Sequence, residues 1–443
     1  MVMRTLINHV TVLTMNQDLE ELRDGYVLVE DQVIREVGSG DGGELPAVCG
    51  KVIDGRGGIL MPGMVNTHCH VSMVPFRSMG DDCPDRLRRF LFPLELAAMT
   101  PKLVYTGARY GICEMLLAGV TTFADMYYFE DQVARACEEI GIRGYLGETV
   151  INQETCDSSE PYGGLSYGED FIKTWKGHPL VTPMIAPHGT STNSPDMLKK
   201  ACDLAEALDV PWTMHVSEMD YEMSHFRETY NQTPVEFLHS RGMLDSRLIA
   251  AHCIHLTDHD LELMEEAGTK VSHCIGSNTK AGKGVAPVKE LLAHHIPVGF
   301  GTDGPSSGNT LDLFTQFRLF ASFQKTWNHD RSLFPAKEIV RLGTMGGARV
   351  LGAEQMTGSI EPGKKADLVL LNPDKVQMFP CYNPYSLLVY SANPSVVDTV
   401  MVDGRILVRN GALTCVDLEQ IRAELMENMH DFYEKADVYR DMI

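Results

Sequence analysis

The chain has 443 residues, of which 44% are hydrophobic and 22% charged, which is typical of a globular protein with more than one structural unit. Its formal net charge of -22 disfavours nucleic-acid binding through a generally basic surface. No apolar run approaches the roughly 18 to 20 residues of a membrane span, and the alternating N-terminus predicts a strand in place of a signal peptide. We therefore expect a cytoplasmic protein that binds neither nucleic acid nor membrane.

The two ends of the chain are predicted to be β-rich. Residues 1–60 contain LINHVTVLTM, GYVLVEDQVIREVG and most of KVIDGRGGILMPG, and residues 356–416 contain KKADLVLLNPD and VDTVMVDGRILVRNGAL. Asp-Gly and Asn-Gly pairs mark tight turns between these strands. We predict that both ends form one small β-sandwich domain, and that residues 417–443 form a closing helix.

The middle of the chain, residues 61–355, alternates short apolar strands with helical stretches such as PKLVYTGARYGICEMLLAG. We predict eight strands, which end at VNTHCH, TTFADMYY, RGYLGETV, VTPMIAPH, PWTMHVSE, LIAAHCIH, KVSHCI and PVGFGTDG. Eight strand–helix units in about 300 residues predict a (β/α)8 TIM-type barrel. The loops that follow the strands of such a barrel converge on one mouth, so polar side chains at the strand ends can meet there.

His68 and His70 flank Cys69 at the end of the first predicted strand. Alternate residues of a strand point the same way, so both imidazoles can face the barrel axis and bind Zn²⁺ or another divalent metal such as Fe²⁺. Taken alone, an H-x-H pattern in a chain with 16 histidines is most often chance. The pair gains meaning because other candidate ligands end later strands.

Those later candidates are His215 on strand five and Asp303 on strand eight. A carboxylate after a buried strand is costly unless it is paired or bound to a metal, which favours Asp303 as a ligand that also orients a water. Glu218 can move protons beside this centre, and His252 can bond the water or the substrate. His255 is interpreted as a loop histidine.

Three histidines and one carboxylate leave a coordination position open for water, which is typical of a catalytic site. The fourth predicted strand, VTPMIAPH, contains no lysine and ends at His188. Since many barrel hydrolases hold a second metal through a lysine on that strand, we predict a single metal ion. The eleven cysteines form no C-x-x-C pair and are expected to be reduced thiols.

The motifs PGMVNTHCHVSM, MHVSE, AAHCIHL, SHCIGSN, GVAPV and GTDGPSSGN resemble the amidohydrolase superfamily. Within it they resemble the cytosine-deaminase-like branch, which includes 5-methylthioadenosine/S-adenosylhomocysteine deaminases and s-triazine hydrolases. The resemblance covers nearly the whole chain, including GSIEPGKKADLVLL near the C-terminus. It implies a homo-oligomer and one zinc ion, bound by His68, His70, His215 and Asp303.

The same resemblance implies roles for the other candidates. Glu218 would carry a proton to a ring nitrogen and then to leaving ammonia, and His252 would position the water. Glu95, in FPLE, matches a carboxylate that binds ribose hydroxyls, and His188 matches a histidine that contacts the substrate. Arg88 stands where the substrate loop commonly carries a tryptophan.

Two further departures concern substrate choice. Glu148 falls near an arginine that holds the carboxylate of S-adenosylhomocysteine in members that accept it, which predicts that this chain repels that compound. Ser307, Gly308 and Asn309 replace a familiar S-N-N. An adenosine-type nucleoside, or another amino-substituted purine, pterin or triazine, stays open as the small-molecule substrate.

Hydrolytic deamination is the leading functional prediction, because Glu218 follows His215 by three residues and can protonate a ring nitrogen. Dechlorination or N-dealkylation of an s-triazine on the same scaffold is the near alternative. Ring-opening amide hydrolysis is disfavoured by the missing lysine. An inactive metal-binding barrel is a remote alternative, since it predicts the loss of a ligand and every expected ligand is present.

Overall fold

The computed structural model describes residues 2–442. Eight parallel strands form a barrel in chain order: β1 (Met64–Cys69), β2 (Val120–Tyr127), β3 (Arg143–Val150), β4 (Val181–Pro187), β5 (Trp212–Val216), β6 (Leu248–His252), β7 (Lys270–His273) and β8 (Val298–Phe300). The strands are almost entirely buried, as expected for parallel strands that helices cover from outside. The predicted (β/α)8 barrel is confirmed.

The end of β8 meets β1 and closes the barrel. The side-chain amide of Asn66 donates to the Thr302 hydroxyl over 2.8 Å, and its oxygen accepts the Thr302 N–H over 3.0 Å. The Asp303 N–H donates to the carbonyl of His68 over 3.1 Å. These bonds bring the ends of the first and last strands together, although Asn66 and Thr302 are 236 residues apart in the sequence.

Helices alternate with the strands and cover the barrel. They span Pro101–Leu117, Glu130–Ile140, Gly164–Trp175, Pro195–Ala207, Asp220–Tyr230, Pro234–Ser240, Asp258–Ala267, Ile275–Lys280, Val288–Ala293, Leu313–Trp327, Ala336–Arg341 and Gly347–Val350. Side chains that cap the first turn explain where several of these helices begin. Thr233 and Thr257 each form a capping box, and Ser194 caps a helix that opens with proline.

Strands from both termini form a second sheet, which confirms that the two ends of the chain build one β unit. Its strands are Arg4–Leu13, Glu21–Glu30, Val33–Ser39, Lys51–Asp54, Ile59–Pro62, Leu368–Leu371, Val397–Val402, Arg405–Arg409 and Ala412–Leu413. Hydrogen bonds connect all nine into one sheet, and the antiparallel pairing of Ile59–Pro62 with Leu368–Leu371 joins the N-terminal and C-terminal parts. The domain boundaries given above stay predictions.

The remaining helices lie outside the strand–helix units. Leu45–Val48 lies within the N-terminal sheet segment, Phe92–Ala98 follows β1, and Pro384–Tyr390 lies within the C-terminal one. The predicted closing helix consists of two helices, Leu418–Asn428 and His430–Ala436. Among residues 2–442, no helix combines the length and the apolar character that a membrane crossing demands.

A buried ion pair connects the barrel to the terminal sheet. The guanidinium of Arg143, at the start of β3, lies 3.3 Å from the Asp367 carboxylate, and both side chains are at most 2% exposed. Arg143 also donates to the carbonyl of Pro179 over 3.1 Å, while Asp367 accepts the N–H of Asp403 over 2.7 Å. The pair therefore has the extra hydrogen bonds that a desolvated pair requires.

Replacing Arg143 with methionine is expected to lower the free energy of unfolding by about 3–5 kcal/mol, because the Asp367 carboxylate would stay buried without its partner. Chemical denaturation measures the change. The control is Lys173→Met, which removes an exposed pair with Glu169 and should change stability little. An Arg143→Met protein as stable as that control would contradict the prediction.

Candidate active site

The predicted pair His68 and His70 lies at the end of β1, at the mouth of the barrel. The Nδ1 of His70 donates to the carbonyl of Met126 over 2.5 Å, which leaves its Nε2 facing Asp303, 3.2 Å away. His68 is 1% exposed, and its Nε2 is buried without a hydrogen-bond partner among the described residues. The two rings lie 4.9 Å apart between centroids.

His215, at the end of β5, turns toward the same point. Its Nδ1 donates to the carbonyl of His188 over 2.5 Å, so its Nε2 is free to bind a metal. Its ring lies 5.0 Å from that of His68. Burial and neighbouring imidazoles hold the pKa of both His68 and His215 well below the usual range, so both are neutral, as metal ligands must be.

Asp303 follows β8 in the left-handed region, at φ 57°. Its carboxylate accepts the N–H of Gly304 over 2.7 Å, and the bond to His70 keeps its pKa well below the usual range although burial opposes this. A side chain at Gly304 would come within 3.1 Å of the His70 Cβ. Glycine there lets the two strand ends approach each other closely.

These residues form two overlapping groups whose ligand atoms lie within 4.8 Å of one another: His68 with His70 and Asp303, and His68 with His215 and His252. His68 belongs to both groups. Imidazole nitrogens and one carboxylate oxygen are donors that suit zinc, so the residues present fit a divalent metal. His70 and His215 each have their second nitrogen fixed by a backbone carbonyl, which orients metal-binding histidines.

Glu218 lies beside this cluster, after β5. Its Oε1 is 3.6 Å from Nε2 of His252 and accepts a hydrogen bond from the ammonium of Lys283. Burial favours the neutral acid, but His252, Lys283 and His215 hold the pKa of Glu218 below its usual range. The Nδ1 of His252 donates to the Asn278 side chain over 2.8 Å, so the ring is held with Nε2 toward Glu218.

A second carboxyl, Glu222, supports the turn that carries Glu218. It accepts the backbone N–H groups of Ser217, over 3.1 Å, and of Glu218, over 2.8 Å, and the Thr190 hydroxyl donates to it as well. Burial raises the pKa of Glu222 to about 7, although these hydrogen bonds oppose the rise. Glu222 thus fixes the backbone from which Glu218 projects.

The cluster forms the floor of a cavity of about 470 Å³, which is the size of small-molecule sites. Glu95, His188, Glu218, His252 and Asp303 line it, together with Phe92, Met126, Tyr127, Tyr128 and Met219. Glu95 is 6% exposed and accepts a hydrogen bond from the Tyr127 hydroxyl over 2.9 Å. Burial raises the pKa of Glu95 to about 7.

The loop after β1 covers one side of the cavity. Asp81 binds the ammonium of Lys280 over 2.6 Å and the side-chain amide of Asn309 over 2.9 Å. Arg86, which lines the cavity, donates to the Ser307 hydroxyl over 2.9 Å. The segment that replaces the familiar S-N-N therefore anchors this loop.

The structure does not bring two of the sequence candidates, Arg88 and Glu148, into the cavity, and His255, interpreted as a loop histidine, also lies outside it. Arg88 lies outside it, paired with Asp85 and stacked over the Tyr221 ring at 5.0 Å. Glu148 is fully buried on the outer side of β3, where it accepts the Glu130 N–H over 2.9 Å and lies against Gly168. His255 pairs with the exposed Asp220.

These placements correct two expectations. Glu148 cannot repel a substrate from behind the strand, so the argument against S-adenosylhomocysteine that rested on it is removed. The cavity-facing arginine of the loop is Arg86, two residues before Arg88. A shift of one residue in a strand moves a side chain to the other face, so a residue near the end of β3 can point away from the mouth of the barrel.

Sequence reasoning missed Asn278, Lys283 and Glu222. Asn278 stands in SHCIGSN, a motif that contributed to the resemblance without a role for this residue. Glu222 is four residues after Glu218, and its sequence context is typical of a surface carboxylate on a helix. Lys283 carries no sequence signal, since a lysine in a glycine-containing loop is usually solvated.

The chain was compared with known proteins. The Amidohydrolase family model matches residues 59–407. A 5-methylthioadenosine/S-adenosylhomocysteine deaminase of Syntrophus aciditrophicus is 37% identical over 418 residues, which is 94% of each chain. A zinc-bound adenosine deaminase of Xanthomonas campestris superposes with a TM-score of 0.93 at 30% identity, covering 97% of this chain and 98% of that one. The zinc complex of an atrazine chlorohydrolase from Arthrobacter aurescens gives 0.88 at 25%, covering 96% and 100%.

Proposed function

The chain belongs to the amidohydrolase family, and we propose on that premise that it is a zinc-dependent deaminase of adenosine-type nucleosides. The superfamily resemblance inferred from the motifs is confirmed. Metal-dependent hydrolysis of a C–N bond in a small-molecule substrate agrees with this membership and with the His/Asp cluster. The finer statement, one zinc ion bound by His68, His70, His215 and Asp303, is part of the proposal.

The observation that carries the proposal is the position of Glu218. Its carboxylate lies at the floor of a nucleoside-sized cavity, 3.6 Å from His252 and beside the candidate metal ligands. A carboxylate placed between a nucleophilic water and a heterocyclic nitrogen can take a proton from the water and donate it to the nitrogen. Deamination needs such a group twice, once to activate the ring and once to release ammonia.

Zinc, when bound, supplies a Lewis acid that makes a water nucleophilic near neutral pH. Glu218 takes a proton from the attacking water and passes it to the ring nitrogen next to the amino-bearing carbon. His252, held by Asn278, donates or accepts a hydrogen bond at the incoming oxygen. The remaining proton of the added oxygen passes through Glu218 to the amino group, the C–N bond breaks, ammonia leaves, and the ring carbon becomes a carbonyl.

Glu95 and His188 favour a nucleoside over a bare base. Both line the cavity, and Glu95 is a buried carboxyl whose Oε1 accepts a hydrogen bond from the Tyr127 hydroxyl. The Nδ1 of His188 is held by Thr192 over 3.1 Å, and its ring lies 5.5 Å from Phe92. Such groups can bind the two hydroxyls of a ribose.

A substrate screen tests the proposal. The zinc-loaded enzyme is incubated with adenosine, 5-methylthioadenosine, 5′-deoxyadenosine, S-adenosylhomocysteine, guanine, aminated pterins and amino- or chloro-s-triazines, and ammonia and chloride are measured. We expect ammonia from the adenosine-type nucleosides and conversion of adenine to hypoxanthine. Chloride release without any deamination would establish the chlorohydrolase alternative, and no turnover with zinc bound would establish the inactive barrel.

Replacing Glu95 with glutamine is expected to raise the KM for adenosine about tenfold with little change in kcat, because the amide offers the two hydroxyls one acceptor oxygen in place of two. Steady-state kinetics on adenosine and 2′,3′-dideoxyadenosine measure this effect. The dideoxy compound serves as the matched control, since it lacks both hydroxyls. Equal losses for the two substrates would remove Glu95 from ribose recognition.

Localisation, assembly and partners complete the proposal. We place the enzyme in the cytoplasm, expect it to form a homo-oligomer by resemblance to the family, and expect no nucleic-acid partner on account of the net charge of -22. Size-exclusion chromatography with light scattering reports the oligomeric state directly.

A further inference from the structure

Lys283 is a cation inside the cavity that the proposed reaction has not used. Its ammonium donates a hydrogen bond to Oε1 of Glu218, and the two side chains are only 19% and 18% exposed. A lysine this sheltered loses hydration, which costs free energy unless the charge is paired. The carboxylate of Glu218 is the group that pairs it.

The turn that carries Lys283 also holds His252. The backbone N–H of Lys283 donates to the carbonyl of Asn278 over 2.9 Å, and the Asn278 side chain accepts from Nδ1 of His252 over 2.8 Å. The segment 278–283, which is the end of the helix Ile275–Lys280 and the turn after it, therefore contacts both Glu218 and His252, the groups that handle protons in the cavity. This turn follows β7, whereas Glu218 and His252 follow β5 and β6.

Backbone geometry fixes the place of Lys283. Gly282 and Gly284 flank it at φ 64° and 132°, conformations that residues with a Cβ rarely adopt. A Cβ at Gly284 would lie 2.8 Å from the Ile254 side chain, two residues after His252. The loop is thus packed against the end of β6, which directs Lys283 toward Glu218.

Other charged groups face this pair. His215 and His252 lie on the metal side of Glu218, and Glu222 lies beneath its backbone. Asp303 and Arg86 face Lys283 from β8 and from the loop after β1. Lys283 is nevertheless the group that bonds the Glu218 side chain directly, so its removal should change that side chain most.

We propose that Lys283 is a positioning residue for Glu218, an inference that rests on the proposed function. The ammonium fixes the Glu218 carboxylate toward His252 and stabilises its charged form. Once Glu218 has taken a proton from water, the adjacent cation makes that proton easier to release to the ring nitrogen or to departing ammonia. The weaker basicity of Glu218 would cost little, because a zinc ion held by the histidine and aspartate ligands would supply the acidity of the water.

The test compares Lys283→Met and Lys283→Arg with the wild type, using the best nucleoside substrate. The Met variant is expected to lower kcat about tenfold or more, to leave KM within about twofold, and to move the acidic limb of the kcat/KM profile up by about one pH unit. The direction follows because loss of the cation lets Glu218 become protonated at higher pH. The Arg variant should restore most of kcat.

Lys289, which is exposed on the following helix, gives the matched control Lys289→Met, with wild-type kinetics expected. Zinc content and thermal melting establish that each variant is folded and loaded. A Met variant with unchanged kcat and an unchanged acidic limb would overturn the proposal. A change confined to KM would also overturn it, because it would make Lys283 a substrate-binding group.

A second readout separates this inference from the proposed function. Infrared titration, taken as the difference between the wild type and Glu218→Gln, follows protonation of the Glu218 carboxyl without any turnover. Lys283→Met should raise the midpoint. If the wild type deaminates nothing, the proposed function fails while the titration still tests the pair, and an unshifted midpoint alone would overturn the inference.

Discussion

Replacing Glu218 with glutamine is expected to lower kcat about 10³-fold while leaving the zinc content unchanged. The glutamine amide has nearly the same shape but cannot take a proton from water or return one to the substrate. Glu218 is not a member of either group of candidate ligands, so the metal should stay bound. Pre-steady-state and steady-state ammonia release, with metal analysis on the same sample, measure the two effects.

The control for this variant is Glu222→Gln. Glu222 holds the backbone of Ser217 and Glu218 but has no contact with the substrate side of the cavity, so we expect a smaller loss of kcat together with lower thermal stability. A Glu218→Gln enzyme with more than about a tenth of wild-type turnover would show that another group moves the proton.

Replacing His68 with alanine is expected to abolish both zinc binding and turnover. His68 belongs to both ligand groups, its Nε2 is buried without another partner among residues 2–442, and its ring lies within 5.6 Å of those of His70, His215 and His252. If the proposed zinc ion binds only the native state, its loss should also remove stabilisation of about 2.7 kcal/mol at a zinc concentration of 100 Kd. Metal analysis and melting with and without added zinc measure both effects.

His255→Ala is the matched control, since it removes a histidine that pairs with an exposed aspartate outside the cavity. It should keep zinc, turnover and the zinc-dependent rise in melting temperature. Stoichiometric zinc and normal turnover in the His68→Ala protein would refute the ligand assignment. Chelation of the wild type followed by addition of zinc, iron or manganese tests which metal restores activity.

Residues that depend on strand periodicity were predictable from the sequence. His68, His70, His215, His252 and Asp303 each follow a short apolar run, and strand order in a (β/α)8 barrel places all such ends at one mouth. The structure brings these five together. Glu218 was predictable for the same reason, because it lies just after the fifth strand.

Side chains whose role depends on loop conformation were not predictable in this way. Arg88 and Arg86 are two residues apart in one loop, and only the tertiary structure shows that Arg86 reaches the cavity. Glu148 ends a barrel strand like the ligands do, but it points outward, toward Gly168. Strand position gives the height of a residue in the barrel, whereas local twist and bulges decide its direction.

The sequence by itself therefore determined the barrel, the β unit of both termini, the family and the histidine pair with its partners on later strands, because alternation and strand order are periodic properties. Only the tertiary structure decided which groups surround Glu218. The Asn278–Lys283 turn, the support from Glu222 and the removal of Glu148 from the substrate side all depend on loops and side-chain directions. Those are set by packing between segments far apart in the chain, and no local pattern encodes them.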